Sequence, residues 1–302
     1  MSAWLVAQSG TETGAQLALI LALFAAFMHA IFGALQKGRH DPWLSRGAID
    51  FSYGIMALPL ALFVVPWPEP HMWPIFAGML VIHVIYKYVQ AMAYSKGAFT
   101  VVYPVVRGIG PIVTVFAAGI VFGEHFAPMQ WGGVALLTLA ILSLAALNLR
   151  RTEQVRRSDL KQALAWAIAG GIMVASYTTY DAYGIRATAD PFTFLAWFFL
   201  IDGLVVFPWI ALYRWHAMAV RPEPMPLISR GVIGGIIAYL SFGSIMVATR
   251  LDSVGEAAVL RETSPVFAAL IGWLFLGEKV GPLRAVFMIL IALGAVIVEF
   301  GA

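Results

Sequence analysis

The 302-residue chain contains no cysteine. A disulfide, a thiolate zinc site, an iron–sulfur cluster and a cysteine nucleophile are therefore excluded, and several enzyme classes with them. Charged residues are also scarce, at 12% of the chain against about 25% in ordinary globular proteins, whereas 61% is hydrophobic. Water cannot surround a chain with so much apolar surface. The composition therefore predicts a membrane protein that crosses the bilayer several times.

Sequence motifs of common membrane enzymes are missing as well. The chain has no HExxH zinc motif, no GxSxG elbow and no Walker A loop, and its one SxxK motif, Ser158–Lys161, lies in a polar linker. The net charge of +3 comes from basic residues in short loops, so it does not indicate nucleic-acid binding. We therefore expect no enzymatic activity, no cofactor, no metal site and no nucleic-acid partner.

Ten apolar runs of about 17–25 residues follow one another along the chain, the length of a helix that crosses ~30 Å of hydrocarbon. Charge, proline or glycine bounds each run, and the connections are too short to hold a soluble domain. The sequence thus predicts an all-α integral membrane protein. The ten predicted transmembrane helices lie at 15–36, 47–66, 73–95, 99–122, 128–148, 162–186, 192–214, 228–250, 254–276 and 282–300.

The 19 lysine and arginine residues are divided unevenly between the two predicted membrane faces. Most lie in or beside the connections that follow odd-numbered spans, and basic residues in short loops favour the cytoplasm. Only Arg186 and Arg250 lie on the opposite side. This distribution predicts extracytoplasmic N- and C-termini in an inner or plasma membrane. The remaining three basic residues, Lys87, Arg107 and Arg261, lie within spans.

An internal repeat joins the two halves of the chain. VVRGIGPIVTVFAAGIVFGEHFAP, which ends at Pro128, aligns without a gap with VLRETSPVFAALIGWLFLGEKVGP, which ends at Pro282. Since each half has five spans, the two halves must cross the membrane in opposite senses. We predict a first repeat at 1–148, a basic cytoplasmic linker at 149–161 and a second repeat at 162–302. The alignment pairs Arg107 with Arg261, Pro111 with Pro265, and Gly123–Glu124 with Gly277–Glu278.

These features carry a resemblance to a known family. The ten spans, the two five-helix repeats and the segment PVFAALIGWLFLGE resemble the EamA-type transporters of the drug/metabolite transporter (DMT) superfamily. The resemblance implies a basket of helices around a central cavity and secondary transport, commonly export, of small metabolites or drugs. An arginine four residues before the proline in both halves, and Glu262 beside the second arginine, depart from the commonest family pattern.

Arg107 and Arg261 are the leading candidates for substrate binding. Each lies about 14 Å along its helix from the nearest membrane face, close to the bilayer midplane. An arginine at that depth costs at least ~2.5–3.5 kcal/mol against lipid, so both should face a polar interior, where a guanidinium suits a carboxylate or phosphate. Pro111 and Pro265 should break the helices beside them. Alternatively, each arginine has only a structural role and forms an ion pair with an acidic residue that holds two helices together.

Other polar residues of the spans could line the same cavity. His83 and Lys87 share one face of the third span, with Tyr86 beside them, and Tyr180 lies on the sixth. We include these four residues as substrate-binding candidates. The alternatives are that Lys87 reaches the cytoplasmic interface and that His83 only packs between helices.

Acidic residues of the spans are candidates for proton coupling. A carboxylate desolvated near an arginine can change its protonation state, and Glu262 is the best placed for this. The alternative for Asp50 is a structural ion pair with Arg46. Glu124 and Glu278 are expected to cap the helix that follows each of them or to form a charge pair there. The coupling candidates are Glu262, Asp50, Asp181 and Asp202.

The sequence thus predicts a secondary active transporter that moves a small anionic or zwitterionic metabolite by alternating access, acting as a monomer or homodimer within membrane lipid. An amino acid, an organic acid and a phosphonate-like compound all fit. The alternative is an exporter of cationic or multiple drugs in which the arginines only brace the fold. A membrane enzyme and a scaffold are remote alternatives.

Overall fold

The structure is a computed structural model that describes residues 2–36, 41–96, 99–151, 157–276 and 281–302. Within these ranges all regular secondary structure is helical. A π-helical stretch, Leu60–Val64, directly continues the third helix. The helices are α1 (Ser2–Ala7), α2 (Glu12–Gln36), α3 (Pro42–Pro59), α4 (Met72–Lys96), α5 (Phe99–Phe122), α6 (Pro128–Arg151), α7 (Arg157–Ala187), α8 (Pro191–Leu204), α9 (Phe207–Ala217), α10 (Pro224–Leu251), α11 (Val254–Arg261), α12 (Ser264–Leu276) and α13 (Pro282–Phe300).

Nine helical segments of the described ranges are long and apolar enough to cross a membrane. They coincide with nine of the predicted spans, so the all-α membrane architecture is confirmed. The predicted span 162–186 lies within α7, which is 31 residues long but less apolar, because its second half contains the polar stretch 176–181. The tenth span therefore stays a prediction.

Three of the predicted spans are interrupted where a proline removes a backbone N–H. The helix changes to π-helical after Pro59, α8 and α9 meet just before Pro208, and α11 and α12 meet just before Pro265. At the second of these breaks the carbonyl of Leu204 accepts a hydrogen bond from the indole Nε1 of Trp209 at 2.9 Å. A side chain thus replaces the missing backbone donor.

The chain folds into two compact units, and each combines segments of both predicted repeats. Unit 1 consists of Met1–Val84 and Tyr180–Asp252, and unit 2 of Ile85–Thr179 and Ser253–Ala302. Helices α4 and α7 contribute residues to both units. Part of the predicted linker, 152–156, and the pair Gly277–Glu278 lie outside the described residues.

Glycine contacts hold the helices of each unit close together. In unit 1, α10 packs along α2 and α3, and α3 also packs on α8. A Cβ atom added to Gly203 of α8 would lie 2.6 Å from the Cα of Gly54 in α3. In unit 2, α6 packs along α13, where a Cβ on Gly133 would lie 2.7 Å from the carbonyl oxygen of Gly294. Small residues of this kind let membrane helices approach each other closely.

The Gly133–Gly294 contact makes a test of this packing. Gly133→Ala should lower the free energy of unfolding by about 1–3 kcal/mol, because its methyl group has no space against α13. The neighbouring variant Gly132→Ala, with open space around its Cβ, should be as stable as the wild type or slightly more stable. Thermal unfolding in detergent measures both, and equal stability of the two variants would contradict this packing.

Candidate functional site

A buried ion cluster in unit 2 joins the two arginines that the repeat pairs. We name Arg107, Arg261 and Glu262 the arginine centre. Arg107 projects from α5, Arg261 is the last residue of α11, and Glu262 follows it. The Nε of Arg107 lies 2.7 Å from Glu262 Oε2, and the Nε of Arg261 lies 3.9 Å from Glu262 Oε1. Both contacts are ion pairs without hydrogen-bond alignment at Nε, so the two guanidinium groups share one carboxylate.

The arginine centre forms where the chain leaves α11. Thr263 donates its hydroxyl to the carbonyl of Leu260 at 2.7 Å, a side-chain bond that competes with continuation of the helix. Pro265 then provides no N–H for the carbonyl of Arg261. Instead, Arg107 Nη2 donates to that carbonyl at 3.4 Å and to the hydroxyl of Ser264 at 3.3 Å. The break in the helix and the position of Arg107 therefore depend on each other.

The two repeat-related prolines behave differently. Pro111 lies inside α5, which continues to Phe122, whereas Pro265 lies in the first turn of α12. The preceding residues explain the difference: Pro111 follows Gly-Ile-Gly, and Pro265 follows Glu-Thr-Ser, of which Thr263 bonds to the carbonyl of Leu260. The expected break is thus present beside Arg261, and α5 runs on past Pro111.

Aromatic rings lie beside both guanidinium groups. The guanidinium carbon of Arg107 is 5.8 Å from the centre of the Tyr103 ring, and that of Arg261 is 5.9 Å from the centre of the Tyr177 ring. Tyr177 also contacts Tyr86, with ring centres 4.7 Å apart. Thr178 accepts a hydrogen bond from Arg261 Nη2 at 3.3 Å. Tyr86, a predicted site residue, is thereby connected to the arginine centre through one ring.

The charges of the arginine centre do not cancel. All three residues are at most 3% exposed, and within the described part of the chain Glu262 is the one carboxylate at ion-pair distance from either guanidinium. Removing charge from water is expensive unless it is paired. Two cations around one carboxylate therefore favour a second anion at this position.

A second buried cluster lies in unit 1 and contains three further predicted residues. The Nε2 of His83 lies 3.0 Å from Asp181 Oδ2, and its Nδ1 lies 3.6 Å from Asp202 Oδ1. Tyr53 donates its hydroxyl to the other oxygen of Asp202 at 2.5 Å. All four residues are buried. We name this set the histidine cluster; Tyr53 has no signal in the sequence that would connect it to Asp202.

The remaining candidates lie elsewhere in the two units. Asp50 forms the alternative ion pair, with Arg46 Nε 2.8 Å from its Oδ1, one helical turn apart on α3. Tyr180 belongs to unit 1, where its hydroxyl fills the space beside Gly78 of α4. Lys87 is 1% exposed, so its side chain is buried among the helices.

Glu124 caps a helix, but not the one that follows it. Its carboxylate accepts hydrogen bonds from the backbone N–H groups of Val254 and Gly255 at 2.7 and 2.9 Å and from the hydroxyl of Ser253 at 2.9 Å. These groups form the N-terminus of α11, whereas the expected partner was α6. An acidic side chain satisfies the unpaired N–H groups there and is stabilised by the helix dipole. Glu124 thereby fixes the helix that ends at Arg261.

The shared carboxylate makes a prediction for stability. Glu262→Gln should destabilise the protein by about 3–5 kcal/mol, since it leaves two buried guanidinium groups without their carboxylate. Arg107→Met should destabilise it less, because Glu262 keeps Arg261 as a partner. The double variant should lose clearly less than the sum. As a control, Arg284→Met should be additive with Glu262→Gln, because Arg284 donates to Asn148 instead. Thermal unfolding in detergent measures the cycle, and additivity of the first pair would disprove the coupling.

Comparison with known proteins agrees with this architecture. Residues 161–300 match the model of the EamA-like transporter family. Over 175 residues the chain is 25% identical to the chloramphenicol-sensitive protein RarD of Pseudomonas aeruginosa, a match that covers 57% of this chain and 52% of RarD, so the chain spans about half the length of this curated relative. A crystal structure with 15% sequence identity shares the fold, with a TM-score of 0.71 over 96% of this chain and 99% of that chain. The second half of the chain is thus similar to the EamA-like transporter family, over residues 161–300.

Proposed function

We propose that the protein is a secondary active carrier that moves a small anionic or zwitterionic metabolite across the inner or plasma membrane, most simply as an exporter. Ten spans, arranged as two inverted five-helix repeats around a central cavity, would give it two access states. The termini would lie outside the cytoplasm and the basic linker inside. Arg107 and Arg261 would contact the acidic group of the substrate.

The observation that carries the proposal is the sharing of one carboxylate by two buried guanidinium groups. Glu262 lies closer to Arg107, at 2.7 Å, than to Arg261, at 3.9 Å. Arg107 also donates to the Arg261 carbonyl and to Ser264, whereas Arg261 donates to Thr178, so Arg261 keeps more of its donor capacity. A guanidinium presents donors in a planar fork that matches a carboxylate or a phosphonate. A substrate anion bound at Arg261 would bring the charge of the centre close to neutral.

The helix break beside Arg261 supports a moving site. A membrane helix can be broken only where other groups satisfy its backbone, and here Arg107 satisfies the carbonyl of Arg261. An anion that draws the Arg107 guanidinium toward itself would release that carbonyl and loosen the connection between α11 and α12. Substrate binding and helix movement would then be one event, as alternating access requires.

A drug exporter is the second candidate. The ion pair between Arg107 and Glu262 supports it, because arginines that are already paired can serve as structural pins. In that case a neutral or cationic compound would bind elsewhere, and the arginine centre would only hold α5 against α11.

Transport by the purified protein in proteoliposomes separates the two candidates. We expect wild type to take up L-glutamate, citrate, a phosphonate or a zwitterionic amino acid more readily than cationic dyes. Arg261→Gln should raise the apparent KM at least tenfold for the transported acid, since it removes the guanidinium that Glu262 holds less closely. Arg107→Gln should lower the maximal rate as well, because Arg107 also holds the helix break.

Arg284→Gln is the matched control, an arginine removed outside the arginine centre. It should transport as the wild type does, and gel filtration and thermal unfolding should show all variants folded. If cationic dyes are transported and both arginine variants move them normally, the anion carrier is wrong and the drug exporter replaces it. If only acids move but folded Arg261→Gln keeps the wild-type KM, the arginine centre is not the substrate site.

A further inference from the structure

The histidine cluster of unit 1 contains ionisable groups that the arginine centre does not use. An imidazole lies between two carboxylates, with Asp181 of α7 at Nε2 and Asp202 of α8 near Nδ1. Tyr53 of α3 donates to the far oxygen of Asp202, so Tyr53, Asp202, His83 and Asp181 lie in series, with a gap of 3.6 Å between Asp202 and His83. The edge of the Phe198 ring, 5.0 Å away, covers the imidazole.

The histidine cluster offers a proton more than one binding position. A neutral imidazole has one N–H donor and one lone pair, whereas a protonated imidazole has two donors. With a carboxylate beside each nitrogen, the protonated form suits both neighbours, and the neutral form turns its lone pair toward one of two acceptors. A proton bound here is therefore held by carboxylates on two different helices.

Other charged groups around His83 belong to three elements. Asp181 and Asp202 approach from α7 and α8, and α3 contributes Tyr53 together with the ion pair of Arg46 and Asp50. Asp50 is already paired with Arg46, 2.8 Å away on the same helix. Lys87, buried, follows His83 by one turn on α4. The groups of the cluster that can hold the proton are thus His83, Asp181 and Asp202.

A proton suits the cluster better than a metal ion. Within the described residues no group of three or more histidine and acidic side chains is arranged to hold a metal. The Nδ1 of His83 and the Oδ1 of Asp202 are 3.6 Å apart, a distance that a small rotation closes to a hydrogen bond.

We propose that His83, between Asp181 and Asp202, is the proton-carrying site through which this carrier uses the proton gradient. The inference rests on the proposed transport function. One proton from water on one side of the membrane binds to the cluster, is held on the imidazole between the two carboxylates, and leaves to the other side when the helices rearrange. No bond other than those of the proton forms or breaks, and the charge of the cluster changes by one in each half of the cycle.

The arginine centre and the histidine cluster belong to different units. The substrate site lies in unit 2 and the proton site in unit 1, while α4 and α7 contribute residues to both units. His83 lies on α4 and Asp181 on α7. A change in protonation thus acts on the two helices that pass from one unit to the other.

The first experiment measures proton binding without any substrate. The six histidines of the full-length protein are labelled with ¹⁵N in the imidazole ring, and the signal of His83 is identified by its loss in His83→Gln. We expect that signal to move between its neutral and protonated positions as the pH is varied from 5 to 9. A signal that stays at one position over the whole range would overturn the proposal.

The second experiment measures coupling in proteoliposomes loaded with the pH dye pyranine, with L-glutamate, citrate and L-phenylalanine as probes. In wild type, an imposed pH gradient should drive accumulation of the transported probe, and the probe should move protons. His83→Gln should lose at least nine-tenths of this accumulation and show no dependence of flux on pH. The control His71→Gln, a half-exposed histidine outside the cluster, should behave as the wild type.

Asp181→Asn keeps the shape of the cluster and provides a second variant if His83→Gln fails to fold. It should lower gradient-driven accumulation at least tenfold. If His83 binds a proton but folded His83→Gln accumulates the probe normally, coupling through this residue is wrong. If wild type transports none of the probes, the proposed carrier function fails and coupling with it, whereas the NMR titration still decides whether the cluster binds a proton.

Discussion

The fold of this protein is constrained above all by the burial of charge in an apolar bundle. Arg107 and Arg261 lie at most 3% exposed in a chain that is 61% hydrophobic, and neither could be there without Glu262 between them. The geometry of α5, α11 and α12 follows from this requirement. Helix α11 stops at Arg261, the next residue supplies the carboxylate, and Arg107 donates a hydrogen bond to the carbonyl at the buried end of the helix.

The same constraint explains why the two halves of the repeat are not identical. A symmetric pair of arginines needs a counter-ion, and one carboxylate cannot belong to both halves. The second half supplies it as Glu262, where the first half has Gly108. Together with Thr263 and Ser264, this residue ends the helix before Pro265, whereas α5 continues through Pro111. The asymmetry places a broken helix on one side of the arginine centre and a continuous helix on the other.

Much of the fold and the main residues of the site could be predicted from the sequence, because they depend on local pattern. Apolar runs identify nine spans, and the repeat identifies Arg107 and Arg261 as partners. What depended on contacts between distant segments could not be predicted. The bond between Tyr53 and Asp202 joins residues 149 positions apart, and Glu124 caps α11 instead of the helix that follows it.

The central claim is that the arginine centre binds an acidic group of the substrate. Binding of an acid and of its amide tests this claim most directly. Purified wild type and Arg261→Gln are heated in detergent with L-phenylalanine or L-glutamate and, separately, with the derivative of each in which every carboxyl group is an amide. A ligand that binds only the folded state raises Tm. If the arginine centre holds an acidic group, at least one acid should raise the Tm of the wild type, its amide should not, and Arg261→Gln should lose the effect. Equal stabilisation by an acid and its amide, or stabilisation that persists in Arg261→Gln, would contradict the account.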